Sequence, residues 1–347
     1  MYEALKREID EYADREGFSG VIRVTVREHI AFEYAVGYAD RENRLPFDKS
    51  SMFTYYSISK PFCAMAMMLL RDRGWIDIDA HPGKYLSEAR GFDARVTVRQ
   101  LMNHSSGVPD FQQSNAFWEQ KQCSYTAADL RAQLPELSRL EPYFAPGTGG
   151  HYANINFILC ALLIETLTGE GYADFMRQEI FSPLGMQTAC VDRKGLEIPH
   201  RVKGYEPKNG DLSEIVEVPK AYEWMFGAGD VVGTVDDLYC LNRAIKNKSL
   251  ISEQSWREIL TVSPASRMGL GCTVYEWHGK TRIQHNGGSS GFRTLHVQLP
   301  KDDFDLILLS NFGYGNAREV LAETVHKHFY GEVGAFGKGI EMDRGYI

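Results

Sequence analysis

The sequence predicts an α+β fold: an antiparallel sheet built from both ends of the chain, flanked by N- and C-terminal helices, with a mostly helical domain inserted between them. Three observations predict it. Segments in which β-branched residues alternate with polar ones lie near the start and near the end of the chain. Helix-period and strongly apolar segments fill the middle. Amphipathic helical patterns stand at both ends.

The elements follow in order. A charged, amphipathic helix is expected over about residues 2–16. "SGVIRVTVRE" and "HIAFEYAVGYAD" read as two strands joined at Arg27-Glu28-His29. "PFCAMAMMLLRDRGW" reads as a helix that ends before Gly74, and "TVRQLMNHSSGV" as a second one with Thr97 as its N-cap. "INFILCALLIETLTG" is a strongly apolar helix stopped by Gly169, and "GYADFMRQEIFSPLGM" a fourth, broken by Pro183. Strand character returns in two hairpins. One turns at His278-Gly279-Lys280, the other between Pro300 and Asp303. "AREVLAETVHKHFYG" closes the fold as a helix. The expected division is a discontinuous sheet domain (1–56 and 228–347) and a mostly helical domain (57–227), with a site in the cleft between them.

Composition narrows the function. The 347 residues are enough for a large core, and a net charge of −8 argues against a nucleic-acid partner. No apolar run is long enough to span a bilayer, and the charged start lacks a secretory pattern. A cytoplasmic location is therefore expected for the chain as written, and an extracytoplasmic one if a leader has been removed. The six cysteines (Cys63, Cys123, Cys160, Cys190, Cys240, Cys272) contain no CxxC pair and read as small buried residues. No metal-ligand spacing and no phosphate-binding glycine loop appear, so neither metal nor cofactor is expected. The partner is expected to be a small-molecule or peptide substrate. Nothing in the sequence sets an oligomeric state, and a monomer is compatible with it.

One short stretch carries chemistry: Ser57-Ile58-Ser59-Lys60, followed by Pro61. Proline fits a helix only in its first turn, so the helix begins near Ser57. Ser57 and Lys60, three apart, share one face of that turn. Unpaired backbone N–H groups at a helix start favour developing negative charge. A hydroxyl, an amine within reach and oxyanion donors are the parts of nucleophilic acyl transfer. By composition, a chain of this length holds roughly one Ser-x-x-Lys by accident; this chain has only this one. Two further motifs accompany it. Tyr152-Ala153-Asn154 precedes the apolar helix, and His285-Asn286-Gly287-Gly288 ends a late strand.

With these three motifs in this order and spacing, the sequence resembles the serine β-lactamase and penicillin-binding protein superfamily, and most of all its class C β-lactamase-like branch, which includes D-peptidases and esterases. "VTVRQLMNHSSGVPDF", "APGT", "LTGEGYADFMRQEIFSPLGMQTA" and "FGAGDVVGTVDDLYCLNRAI" extend the resemblance over about residues 18–311. It implies the β-lactamase/DD-peptidase-like architecture and a set of roles. Ser57 is the nucleophile, and Lys60 is its base when neutral or a cation that tunes a partner. Tyr152 shuttles protons between Ser57, leaving group and water. Asn154 bonds Lys60 and a substrate carbonyl. The backbone N–H groups of Ser57 and Gly288 form the oxyanion hole, and Gly287 permits close approach of backbone to ligand.

His285 departs from the pattern, because many β-lactamases carry lysine there. A histidine is only partly charged near neutral pH. The expectation is weak β-lactam hydrolysis, preference for esters or amides, and a pH-dependent grip on anionic substrates through roughly pH 6–7. Asn286 replaces a small hydroxyl residue and weakens a carboxylate pocket further. Phe111, Trp118, Tyr222, Trp224 and Phe226 are candidates either to wall the cleft or to anchor loops. Three activities fit: a hydrolase acting on amide, ester or β-lactam bonds, a dedicated esterase, or a penicillin-binding sensor that acylates and hardly turns over.

Overall fold

The computed structural model describes residues 2–111, 126–193, 195–218, 225–289 and 291–331. Its main sheet joins the two ends of the chain. β1 (Gly20–Val26) and β2 (His29–Val36) come from the start, and β8 (Thr273–Trp277), β9 (Lys280–Ser289), β10 (Phe292–Leu299) and β11 (Phe304–Ser310) from the end. The strand order is β2-β1-β11-β10-β9-β8, with β1 antiparallel to β11 in the register Gly20 to Ser310 through Val26 to Phe304. The hairpin turns are as tight as the sequence suggests. Arg27 and Glu28, and later His278 and Gly279, take left-handed backbone, which matches the twist of the strands they join.

Alternation along β11 decides which face meets which layer. Leu306 and Leu308 point into a core shared with the helices α1 (Glu3–Glu16) and, at the far end of the chain, Ala317–Tyr330. Leu5, Ile9, Leu321 and Val325 complete that layer. Ile307 and Leu309 point the other way, into a core shared with the helical part. There, α2 (Ser59–Asp72) is buried along Ser59–Leu70 and packs against the helix Asn154–Thr168, itself buried along Ile155–Ile164. Gly169, with φ +72°, ends that helix as expected. α3 (Val98–Met102) starts from a capping box of Thr97 and Gln100. In chain order, α4 is Ala127–Leu137 and α5 is Asn154–Thr168. Among the described residues no single helix is long and apolar enough to cross a membrane.

Two expectations need correction, and one open choice is decided. Pro183 does not break the fourth helix. α6 runs on through Tyr172–Phe175, Met176–Phe181 and Ser182–Leu184, and ends at Gly185. Its Met176–Phe181 turn has π geometry, whose wider ladder accommodates the proline ring and the missing donor. The middle of the chain is also less helical than its apolar runs suggest. It holds the hairpin β5 (Gly204–Lys208) and β6 (Asp211–Val218), and β4 (Cys190–Val191) joins β3 (Phe53–Thr54) and β7 (Val231–Gly233) in a small sheet. Of the two readings left open for the aromatic residues, Phe111 takes the anchoring one, as a core residue, and Phe226 packs on Tyr172 at 5.2 Å. Trp118, Cys123, Tyr222 and Trp224 lie outside the described residues. Of the other cysteines, Cys63, Cys160 and Cys272 are buried and Cys190 and Cys240 half-buried.

Candidate active site

The site forms where the start of α2 meets the open end of β9. A 3₁₀ turn, Tyr56–Ile58, leads into α2, and Pro61 is the third residue of that helix, where its missing N–H costs nothing. Tyr56, just before Ser57, has φ +50°, a region rarely used by a bulky residue. Backbone strain of this kind persists only where the surroundings enforce it. Here the surroundings are explicit. Tyr55 N–H donates to Val231 O at 2.9 Å, Thr294 Oγ1 donates to Tyr55 O at 2.8 Å, and Ser59 Oγ accepts from Val231 N–H at 2.9 Å. The second hydroxyl of the motif therefore locks α2 to β7 and leaves Ser57 as the half-buried one facing the site.

Lys60 lies fully buried beneath Ser57. Its Nζ is 3.1 Å from Ser57 Oγ, 2.9 Å from Asn154 Oδ1 and 2.7 Å from Ala228 O. The carbonyl of Ala228 accepts only, and Asn154 presents its oxygen, so these two take N–H groups from Lys60. The third position, a lone pair in the neutral amine, is aimed at the Ser57 hydroxyl. Burial lowers the Lys60 pKa to about 7, against the opposing pull of the Asp110 and Asp230 carboxyls.

Asn154 opens α5 without a side-chain cap on the preceding Ala153. Asp110 supplies the cap from another loop, accepting Asn154 N–H at 2.6 Å and Phe111 N–H at 2.8 Å. Burial raises the Asp110 pKa, while backbone N–H donors and Lys60 oppose the rise. One carboxylate thus seats the helix end that carries Asn154 and faces Lys60.

Tyr152 stands just before α5. Its ring lies 4.7 Å from Lys60 Nζ, 4.4 Å from the His104 ring and 6.2 Å from the His285 ring. Its hydroxyl is buried and, apart from the nearby Ser57 hydroxyl, has no hydrogen-bond partner among the described residues. Burial drives its pKa well up, with the nearby Ser57 hydroxyl opposing, so the group is a phenol at neutral pH.

β9 pairs with β8 only as far as Gln284 opposite Thr273. Beyond that point its outer edge faces the Ser57 turn. A Cβ on Gly287 would stand 2.1 Å from Tyr55 O and 3.2 Å from Ser57 N, whereas one on Gly288 would meet nothing closer than Arg293 Cδ at 3.3 Å. The absence of a side chain at 287 is what lets the strand close on the Ser57 turn.

His285 behaves differently from the sequence expectation. It is buried, and its Nδ1 is 2.6 Å from Asn286 O. A carbonyl only accepts, so the proton sits on Nδ1 and Nε2 carries a lone pair without a partner among the described residues. Burial and then the Lys60 charge lower its pKa to about 3. The imidazole is a neutral acceptor across the physiological range, and the expected titration near pH 6–7 falls away.

Two cations along β9 escaped the sequence reading. Arg318, from α9 (Ala317–Tyr330, with α7 Val235–Asn247 and α8 Glu253–Leu260 preceding it), reaches Gly287 O at 3.2 Å. Arg293 reaches Ser289 O at 3.0 Å. Glu319 pairs with Arg318, and Glu206 and Glu319 face Arg293, so both charges are partly offset. No local motif marks either arginine; only sheet register and the return of the last helix bring them here. Among the described residues no cluster of His, Cys, Asp and Glu able to hold a metal occurs.

Known proteins share this arrangement of elements. The chain is similar to penicillin-binding protein 4* of Bacillus subtilis (strain 168), 28% identical over 316 residues that cover 86% of this chain and 69% of that protein. It is similar to a D-aminopeptidase of Brucella anthropi, 26% identical, covering 88% of this chain but only 58% of the aminopeptidase. Its fold matches the D-amino acid amidase from Ochrobactrum anthropi SV3 complexed with L-phenylalanine with a TM-score of 0.80, at 23% identity, covering 95% of this chain and 98% of the amidase. The Beta-lactamase family model matches residues 5–329, and the chain belongs to that family.

Proposed function

We propose that the protein is a serine hydrolase that cleaves ester or amide bonds through an acyl-Ser57 intermediate. The observation that carries this reading is the setting of Lys60: two acceptors hold its N–H groups and the remaining position is aimed at Ser57 Oγ, 3.1 Å away. In the reaction, Ser57 Oγ bonds to the carbonyl carbon as its proton passes to neutral Lys60. The oxyanion settles between the backbone N–H groups of Ser57 and Gly288. The Tyr152 phenol protonates the leaving group as the carbon–leaving-group bond breaks, and Lys60 returns its proton to the tyrosine. Water then attacks the acyl carbon, the same pair takes its proton, and Ser57 Oγ leaves as a hydroxyl.

His285 bears on the substrate. A neutral acceptor next to Tyr152 favours a substrate N–H or amine over a carboxylate. This supports D-amino-acid amides and neutral esters ahead of β-lactams, in line with the aminopeptidase among the relatives.

A fluorophosphonate, followed by peptide mass mapping, tests the nucleophile. The adduct is expected on Ser57 and is expected to vanish in a folded Ser57→Ala variant; an adduct elsewhere overturns the assignment. A panel of a p-nitrophenyl ester, a D-amino-acid p-nitroanilide, a D-alanyl-D-alanine peptide and a chromogenic cephalosporin tests the substrate. The ester and anilide are expected to turn over fastest. A cephalosporin hydrolysed as fast as the ester overturns the preference, and a one-equivalent burst without turnover identifies a covalent sensor instead.

A further inference from the structure

We propose that His104 is a positioning residue for Tyr152, clamping the peptide on both sides of the tyrosine and stacking on its ring so that the phenolic hydroxyl is held against Ser57. The inference rests on the acyl-Ser57 reading. It starts from a gap in that site: apart from the Ser57 hydroxyl that it is to act on, the Tyr152 hydroxyl has no hydrogen-bond partner among the described residues, so no other group at its tip fixes its position. Its placement must come through the ring and the backbone.

His104 holds both. It lies in the loop after α3, within Asn103-His104-Ser105-Ser106-Gly107. Its carbonyl accepts His151 N–H at 3.0 Å, and its Nδ1 accepts Ala153 N–H at 3.3 Å. These are the residues immediately before and after Tyr152. The two rings stack, with centroids 4.4 Å apart and 28° between planes, and Phe157 backs the imidazole at 5.4 Å. Asn156 Nδ2, 3.1 Å from the same Nδ1, ties the clamp to the first turn of α5.

The residue bears two local costs. Its backbone is left-handed, with φ +60°, and accepting at Nδ1 places the proton on Nε2, which is buried without a partner among the described residues. A residue needed only to fill space at this point could avoid both. Burial, and then the charge of Lys60, keeps the imidazole neutral, so Nδ1 stays an acceptor. Because the same ring touches the catalytic tyrosine and not the nucleophile, its effect should pass through Tyr152 alone.

Two substitutions separate the parts of the clamp. His104→Asn tolerates left-handed backbone and offers an oxygen where Nδ1 accepts, but removes the stacked ring. His104→Phe keeps a ring and removes the acceptor. Each is combined with Tyr152→Phe, and kcat and KM for a p-nitrophenyl ester are measured alongside Tm. His104→Asn is expected to lower kcat about 10–100-fold with KM within about threefold, the pattern of a lost transition-state interaction. The double variant is expected to be within about twofold of Tyr152→Phe alone, because two residues acting through one hydroxyl are not additive. Multiplicative losses in the double variant, or a lowered Tm with unchanged kcat, overturn the proposal. If neither single variant folds, His104 serves the fold rather than the tyrosine, and the proposal also fails. A wild-type protein that neither labels at Ser57 nor turns over the ester sinks the hydrolase reading itself and this inference with it; a labelled, active wild type with additive variants sinks this inference alone.

Discussion

Lys60 meets two opposing demands at one atom. Burial penalises its ammonium form, yet Asp110 and Asp230 pull the proton back, and the balance leaves the pKa at about 7. Only the neutral amine can take the Ser57 proton, so acylation is expected to speed up as pH rises and to level off above about pH 7. Fluorophosphonate labelling rates from pH 5 to 11 check this, and an inflection near 10 or a flat profile means that another group is the base. His285, neutral above about pH 3, adds no second inflection in that window. Lys60→Arg, permanently charged, should abolish labelling. Tyr152→Phe should lower kcat and kcat/KM together by about 10²–10⁴-fold, the usual contribution of a group that transfers protons in the transition state. A loss below about threefold would reduce the residue to packing.

At the scale of elements, the proposed reaction requires β9 to approach the turn before α2 closely. Gly287→Ala is expected to push the strand away from Tyr55 O and Ser57 N, and to cost activity by about 10²-fold or more, the scale of losing an oxyanion donor. Gly288→Ala crowds only the flexible Arg293 side chain, at 3.3 Å, which has to shift by a few tenths of an ångström, and should retain most of the rate. Comparing kcat for the two variants, with Tm as a control, decides whether the close approach or the mere presence of glycine matters. The helix that bears Ser57 and Lys60 was legible in the sequence because Pro61 admits only a first-turn position and an apolar run follows it. The helix that bears Asn154 was legible through its apolar length and Gly169. Its cap was not, because Asp110 lies 44 residues away and no spacing rule links the two.

The whole molecule is held by a sheet in which two adjacent inner strands, β1 and β11, come from opposite ends of the chain. Asp305 lies in β11, buried, accepting from Gln298 Nε2 at 3.3 Å, and burial raises its pKa to about 7. A carboxyl whose pKa is higher folded than unfolded supports the folded state while protonated, and that support is lost as pH rises from about 4 through about 7. Asp305→Asn does not titrate. Its stability relative to wild type should therefore improve across that window, by about 4 kcal/mol. Urea midpoints of both proteins at pH 4.5, 6 and 8 check the sign; a constant difference would falsify the assignment of a raised pKa.

The sequence by itself determined the α+β class and the building of the sheet from both ends, and it placed Ser57 and Lys60 on the first turn of one helix; Tyr152, Asn154, His285, Gly287 and Gly288 were singled out by the resemblance of their motifs to the family. These are local matters: residue periodicity sets an element, and proline or glycine sets where it starts or stops. Only the tertiary structure decided the protonation of the site. Lys60 is lowered, Tyr152 raised and His285 held neutral because each is buried among the others, and desolvation depends on what folds over a group rather than on its neighbours in sequence. The same holds for Arg318 and Asp110, and for the grip of His104 on Tyr152. Each acts across tens of residues or more, over distances that exist only once the sheet has closed on the helices.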